Sequence, residues 1–315
     1  RILRKGSISF SGAKDIRDSL LRLKVGSSLS IAELLRVSAL LRVALRASDY
    51  GKRDHEPGEE DDALDAMFRE LAPVVSLAKE IDRCILSEEE IADDASNGLR
   101  SVRRAMKTAA EKIRTQLNSL VVNSRTYLQD GVITMRNGRY CVPVKAEHKS
   151  NVPGMVHDQS SSGSTIFVEP LSVVKLNNEL RELEIREQKE IEAVLAALSN
   201  QTCDHLDELT LDLELIGELD FIFAKAALSR HYRGCEPRLN KDGIIRLKNA
   251  RHPLLDPHRV VPITLTLGEN FDLLIVTGPN TGGKTVSLKT VGLLTLMGLA
   301  GLHVPAAEGT TLSVF

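Results

Sequence analysis

The spacing of apolar residues along the chain alternates between long stretches of helical period and two short regions of strand-like alternation. Residues 14–48 are predicted helical: Leu34, Leu41 and Leu45 return on one face, and Ser30 and Glu33 have the spacing of a capping box. A polar loop follows over 49–62, where the acidic run Glu59-Glu60-Asp61-Asp62 reads as a solvated segment leading into a helix start. Leu64, Met67, Phe68 and Leu71 continue a helical face, Pro73 interrupts it, and residues 74–84 resume it. Ser87 and Glu90 are predicted to form a second capping box. From Ala95 onward, Leu99, Val102, Met106, Ala109, Ile113, Leu117 and Leu120 keep the alternating three-and-four spacing of a long helix packed in a bundle. Arg100, Arg103, Arg104, Lys107, Lys112 and Arg114 decorate the same helix. They are read as a solvated face, with a DNA contact as the alternative.

The period changes at Gly131. Residues 132–136 and 139–145 alternate around Asn137-Gly138, a pair suited to the two positive-φ positions of a type I′ hairpin. Short strands are predicted at 155–158 and 165–169, joined by a Ser-rich loop. His157, Asp158 and these serines invite a hydrolase reading. No Gly-x-Ser-x-Gly elbow is present, and neighbours on a strand point to opposite faces, so His157 is read as a packed or hydrogen-bonded residue. Helical period returns over 171–232, with bends or turns expected at Ser199-Asn200 or Gly217. Glu187, at an apolar place in the pattern, is expected to mark where that helix leaves its partner.

Residues 237–276 read as short strands with a polar corner at Arg251-His252-Pro253. The run Leu273, Leu274, Ile275, Val276 is predicted to be a buried parallel strand. It feeds Gly278-Pro279-Asn280-Thr281-Gly282-Gly283-Lys284-Thr285, which has the spacing of a phosphate-binding loop. Gly278, Gly282 and Gly283 let the backbone bring its N–H groups around phosphate oxygens, and the helix starting near Lys284 turns its positive end towards the anion. Lys284 is placed to neutralise the β and γ phosphates, and Thr285 to offer its hydroxyl to Mg²⁺. The alternative is a Gly-rich turn that binds nothing. The helix after Lys284 is expected to end near Gly301, with a further turn or strand over 304–315.

Composition narrows the function classes. The chain has 315 residues, 42% of them hydrophobic, which suits a globular protein of about two domains. A net charge of −2 supplies no overall attraction to nucleic acid, so such binding must come from local patches. Aromatic residues make up 3% with no Trp, against a base-stacking platform. Cys84, Cys141, Cys203 and Cys235 form no C-x-x-C pair, arguing for neither a zinc site nor a disulfide framework. Without a signal-like or membrane-spanning stretch, a cytoplasmic location is expected.

The stretch from Thr277 to Thr285, with Arg251-His252-Pro253 upstream and Gly301-Leu302-His303-Val304-Pro305-Ala306 downstream, resembles the ATPase domain of the MutS family. Thr281 and Thr285, where mismatch-repair members usually carry Met and Ser, resemble the second bacterial subfamily, MutS-two. So do Gly138 to Lys145, Val156 to Pro170, and Asn177-Asn178, and the resemblance covers essentially the whole chain. It implies a mixed α and α/β fold. Its expected parts are a helical core/lever over 1–128, a β-rich clamp-base-like insertion over 129–170, long lever helices over 171–233, and the first part of a P-loop (ABC-type) ATPase domain over 234–315. Phe68-Arg69-Glu70 matches the family's mismatch-reading Phe-x-Glu as text alone, since Phe68 lies on an apolar helix face.

By the same resemblance the intact protein is expected to be a homodimeric ATPase using ATP and Mg²⁺ at residues 278–285. Its partners would be branched DNA, collided ribosomes or both, with recombination restrained or ribosomes split, an endonuclease domain further along, and no membrane partner. The acidic strand, signature loop and nuclease domain of the family would lie beyond Phe315. The chain is therefore expected to be truncated shortly after the phosphate-binding loop and inactive alone, and no catalytic residue is assigned. Residues 259–263 are expected to approach the nucleotide. The rival readings are a mismatch-repair recognition ATPase lacking its reader domain and a non-catalytic helical nucleic-acid-binding module.

Overall fold

The computed structural model describes residues 1–52, 62–278 and 283–315. It mixes helix and sheet, 53% helical. In chain order the elements are α1 (Ile2–Lys5), α2 (Arg17–Lys24), α3 (Ile31–Lys52), α4 (Asp65–Glu70), α5 (Val75–Cys84), β1 (Ile85–Ser87), β2 (Glu90–Ile91), α6 (Asn97–Asn123), β3 (Thr134–Arg136) and β4 (Arg139–Lys145). A 3₁₀ turn (Ala146–Asn151) follows, then β5 (Gly154–Gln159), β6 (Thr165–Pro170), α7 (Leu171–Cys203), α8 (Leu206–Tyr232), β7 (Arg238–Asn240), β8 (Ile245–Ala250), β9 (Ile263–Leu267), α9 (Lys284–Leu299) and β10 (Thr311–Ser313). Two compact units result: Gly12–Leu45 with Ala72–Leu213, and Arg1–Ser11 with Arg46–Leu71 and Glu214–Phe315.

In the first unit, α6 and α7 run antiparallel, Gly98 lying under Glu190 and Arg103 meeting Glu187. Their seam buries Val102, Ala109, Ile113, Leu117, Val173, Leu180 and Leu183 together with Val142, Val144, Ile166 and Val168 from a sheet of order β3-β4-β6-β5. The hairpin forms as expected: Asn137 (φ 51°) and Gly138 (φ 73°) both take positive φ, which the type I′ turn requires. Ser30 and Glu33 exchange their capping bonds, Ser30 N–H to the carboxylate at 2.8 Å and Glu33 N–H to the hydroxyl at 3.4 Å.

Three expectations are corrected here. Ser87 and Glu90 cap no helix: they flank the turn of the β1–β2 hairpin, which pairs buried Ile85 with buried Ile91. The cap of α6 is Ser96, whose hydroxyl accepts from Leu99 N–H at 3.0 Å. The helical stretch breaks at Asp204-His205, between α7 and α8, not at Ser199-Asn200 or Gly217, both of which lie inside helices. Ser199 is buried; its hydroxyl donates to the Leu195 carbonyl and accepts from Leu29 N–H at 2.8 Å, so it anchors α7 and does not break it. Nor does Glu187 mark a departure of α7. Its carboxylate meets the Arg103 guanidinium at 2.7 Å, and Arg103 also holds Asp93 and the Ile91 carbonyl.

In the second unit, an aromatic knot gathers Phe10, Tyr50, Phe68 and Phe223, with ring centroids 5.6–6.2 Å apart for the contacting pairs. Phe68 is 2% exposed, the core position read from its helix face. A sheet of order β7-β10-β8-β9 packs under the C-terminal half of α9, where Gly298 lies against Leu312 and Pro237. Among the described residues, no helix is long and apolar enough to cross a membrane.

All four cysteines are free thiols. Burial pushes the thiols of Cys84 and Cys141 up to about 11.

Asp212 on α8 is fully buried. One oxygen accepts from Ala72 N–H at 2.8 Å, fixing the link between α4 and α5, and the other has no partner among the described residues. Burial, with a smaller push from Glu208, raises its pKa from 3.8 to about 6, against the pull of the Ala72 bond. The folded state thus binds this proton more tightly than the unfolded one. The stability it contributes is full below pH 4 and lost as pH rises through 6. Asp212→Asn, which keeps an acceptor for Ala72, is expected to raise stability at pH 7–8 by about 2 kcal/mol and to change little at pH 4. Thermal melts at the two pH values check this, and an equal change at both would refute it.

Candidate phosphate-binding site

The sequence expectation placed the phosphate-binding loop between a buried strand and a helix, and the structure supplies the helix alone. α9 begins at Lys284, and its N-cap, Gly283, takes a left-handed conformation (φ 80°, ψ 8°). Gly278 has φ 136°, and among the described residues nothing lies within 4 Å of a Cβ built at either glycine. Ser287 ties the first turn to Gly283 twice, by its N–H at 2.9 Å and its hydroxyl at 3.1 Å. The Lys284 ammonium donates to the Gly278 carbonyl. Thr285 is exposed on the first turn of α9. Pro279, Asn280, Thr281 and Gly282, also predicted for this site, lie outside the described residues.

Residues 273–276 are not a buried strand. Leu273 is 75% exposed and Ile275 73%, and no strand among the described residues pairs with them. A parallel strand covered on both faces needs hydrogen-bonded neighbours and cover on each side. The sheet ends at β9 on this side, so the β-branched composition alone did not bury the run. A cavity of about 490 Å³ opens beside it, lined by Lys284, Thr285, Ser287 and Asp272 and by apolar side chains that include Leu274, Val276, Leu288 and Val291. The apolar lining suits packing, whereas the loop and the N-terminal turn of α9 are the part suited to an anion.

The motifs flanking the loop in sequence meet in the second unit. Arg251 N–H donates to the Pro305 carbonyl at 2.8 Å, and Cys235 and Val304 exchange a pair of 2.9 Å backbone bonds. The Arg251 guanidinium donates to the carbonyls of Tyr232 at 2.7 Å and Arg233 at 3.3 Å, the last residues of α8 and its exit, where helix carbonyls lack intrahelical partners. A cavity of about 280 Å³ lies there, lined by His231, Tyr232, Arg251, His252, Val260 and Pro305. Val260 belongs to the stretch 259–263 expected near a nucleotide.

The structure also gives His157 a partner that sequence reasoning missed. Its Nε2 lies 2.6 Å from Glu169, a fully buried carboxylate that also accepts from Arg139 at 3.1 Å and Asn177 at 2.8 Å. Asn177 further bonds both the N–H and the carbonyl of Tyr140, continuing the ladder of β4 where β6 has turned into α7, and Asn178 accepts from Arg139 at 2.6 Å. Asp158 instead pairs with Arg136 at 3.3 Å; a bulge between Val156 and Asp158 breaks the strand's alternation, so the expected opposite facing of His157 and Asp158 does not hold, and the two are separated by their different partners. Among the described residues no serine hydroxyl bonds His157, so the cluster joins sheet to helix and is not a nucleophile–base pair. The signal available in sequence was a Glu ending an apolar strand within reach of an Asn pair.

The fold and site define a mixed helix-and-sheet protein carrying the sequence pattern of a phosphate-binding loop at a helix N-terminus. No protein-family profile matches the chain. Over its whole length, however, it is 55% identical to the protein named endonuclease MutS2 of Agathobacter rectalis. The corresponding figures are 54% for that of Lachnoclostridium phytofermentans and 46% for that of Acetivibrio thermocellus. The chain belongs to the MutS2 family. It spans about 40% of the length of each of these relatives.

Arg251→Ala leaves the end carbonyls of α8 without their donor. It is expected to cost about 1–3 kcal/mol of stability, seen as a lowered melting temperature, and Arg251→Lys to recover less than half. A melting temperature unmoved by Arg251→Ala would remove the capping role.

Proposed function

We propose that this chain forms part of an ATP-binding and ATP-hydrolysing protein of the MutS2 class, dimeric when intact, that acts on branched DNA, on collided ribosomes, or on both. The observation that carries the nucleotide part is the left-handed Gly283 at the head of α9, with Gly278 also at positive φ and the Lys284 ammonium bonded to its carbonyl. Positive-φ backbone at a helix N-terminus is a ready anion site, and the residues present fit a nucleoside triphosphate with Mg²⁺. In this reading the backbone around Gly278 and Gly283 receives phosphate oxygens. Lys284 would offer its ammonium to the phosphates in place of the Gly278 carbonyl, and the Thr285 hydroxyl would be a ligand for Mg²⁺, which would supply neutralisation of phosphate charge. In this reading the chain comprises lever helices, a clamp-base-like sheet and part of a P-loop ATPase domain, as the sequence resemblance implies. The relatives' name supports an endonuclease activity in the longer protein.

The test is ATPase activity of the full-length protein in buffer, with branched DNA and with ribosomes. A basal rate stimulated by one or both partners is expected. A nil rate under every condition, with nucleotide still bound, would turn the reading to a binding module. Lys284→Ala is expected to weaken nucleotide binding at least tenfold while the melting temperature stays put, and unchanged affinity would overturn the role of that lysine. Thr285→Ala should act on Mg²⁺-dependent steps, so an equal loss with and without Mg²⁺ would count against its assignment.

A further inference from the structure

We infer that the outward face of α6 is a docking surface for duplex DNA, held in the major groove. The apolar residues Leu99, Val102, Ala109, Ile113 and Leu117 all turn towards the seam and are buried. At 100° per residue, this places Arg104 opposite them, facing solvent, with Arg100, Lys107, Lys112 and Arg114 on the same outward half, and all five are exposed. The whole helix carries six basic residues against one acid, Glu111. Arg103 is taken up by Glu187 and Asp93, and Arg100 has a loose 3.6 Å contact with Asp94. Arg104, Lys107, Lys112 and Arg114 have no carboxylate within ion-pair distance among the described residues, so their charge is available to a partner.

What lies between the cations suits the same partner. Ser101, Thr108, Thr115 and Asn118 are small, exposed and polar, and leave the helix slim enough to enter a groove. The stretch from Arg100 to Arg114 is about 21 Å long on a rod about 10 Å wide, against a B-form major groove about 12 Å wide. Lys112 and Arg114 project about 160° apart around the axis, so that one reaches each phosphate wall while Arg104 faces the groove floor. The major groove of A-form RNA is too deep and narrow for a helix, which favours DNA. The net charge of −2 does not oppose this, since the attraction is local: the outward face of α6 carries five exposed cations against one acid, Glu111, which projects about 20° from Arg104.

The inference rests on the nucleic-acid part of the proposed function and is independent of the nucleotide site. The test is fluorescence anisotropy of the full chain with a 30-base-pair DNA duplex across a salt series. The triple variant Arg104→Glu, Lys107→Glu, Arg114→Glu is compared with a control of equal charge change on α7, Lys175→Glu with Arg186→Glu and Lys189→Glu. The triple variant is expected to lose at least tenfold in affinity and to lower the slope of log affinity against log salt by about 2–3, while the control and the melting temperature change little. An unchanged slope, or an equal loss in the control, would overturn the assignment to α6. A duplex RNA of the same length held as tightly through the same three residues would overturn groove docking. A wild-type chain that binds no duplex at low salt would remove the nucleic-acid reading itself, with nucleotide affinity, measured in parallel, left to stand or fall separately.

Discussion

The first unit depends on one constraint: α6 and α7 must bury a shared apolar seam along most of their length. Neither helix can hide Val102, Ile113, Leu117, Val173 or Leu180 by itself, and isolated helices gain little from propensity alone. Packing the two antiparallel also supplies the floor for Val142, Val144, Ile166 and Val168, so the small sheet has a core only because the helix pair exists. The same seam decides which residues of α6 face water, and its cationic face is a consequence of where its leucines go.

The polar groups at the edges of that seam are handled by pairing. Glu169 would be costly as a bare buried charge. Its two oxygens are shared among His157, Arg139 and Asn177, which come from strand, strand and helix, so the carboxylate ties β6 to the start of α7. Arg103 does the corresponding work at the other end, joining α6 to α7 through Glu187 and to the β2 hairpin through the Ile91 carbonyl. Asp212 differs: only one of its oxygens is satisfied, and the strain of that burial shows as its raised pKa.

In the second unit the local and non-local parts of the phosphate-binding site separate cleanly. Gly278 and Gly283 take positive φ and α9 starts at Lys284, features that follow local backbone preferences. Residues 273–276 are different, since a central strand exists only through its neighbours. With the sheet ending at β9, a run composed for burial lies exposed, and a cavity of about 490 Å³ opens beside α9.

The sequence by itself determined whatever depends on residues a few places apart. The period of α6, the Asn137-Gly138 turn, the Ser30–Glu33 cap, the core position of Phe68 and the spacing of the phosphate-binding loop were all legible because φ preferences, capping bonds and helical faces are local. Tertiary structure decided the rest. Ser-x-x-Glu at 87–90 became a hairpin because Ile85 and Ile91 are buried together, and Glu187 stayed in the helix pair because Arg103, 84 positions away, neutralises it. His157 found Glu169, and the run at 273–276 has no strand neighbour among the described residues. In these cases the deciding energy lies in a tertiary contact, whether the partner is six residues away or 84, and helical or strand periodicity does not say which side chains will meet.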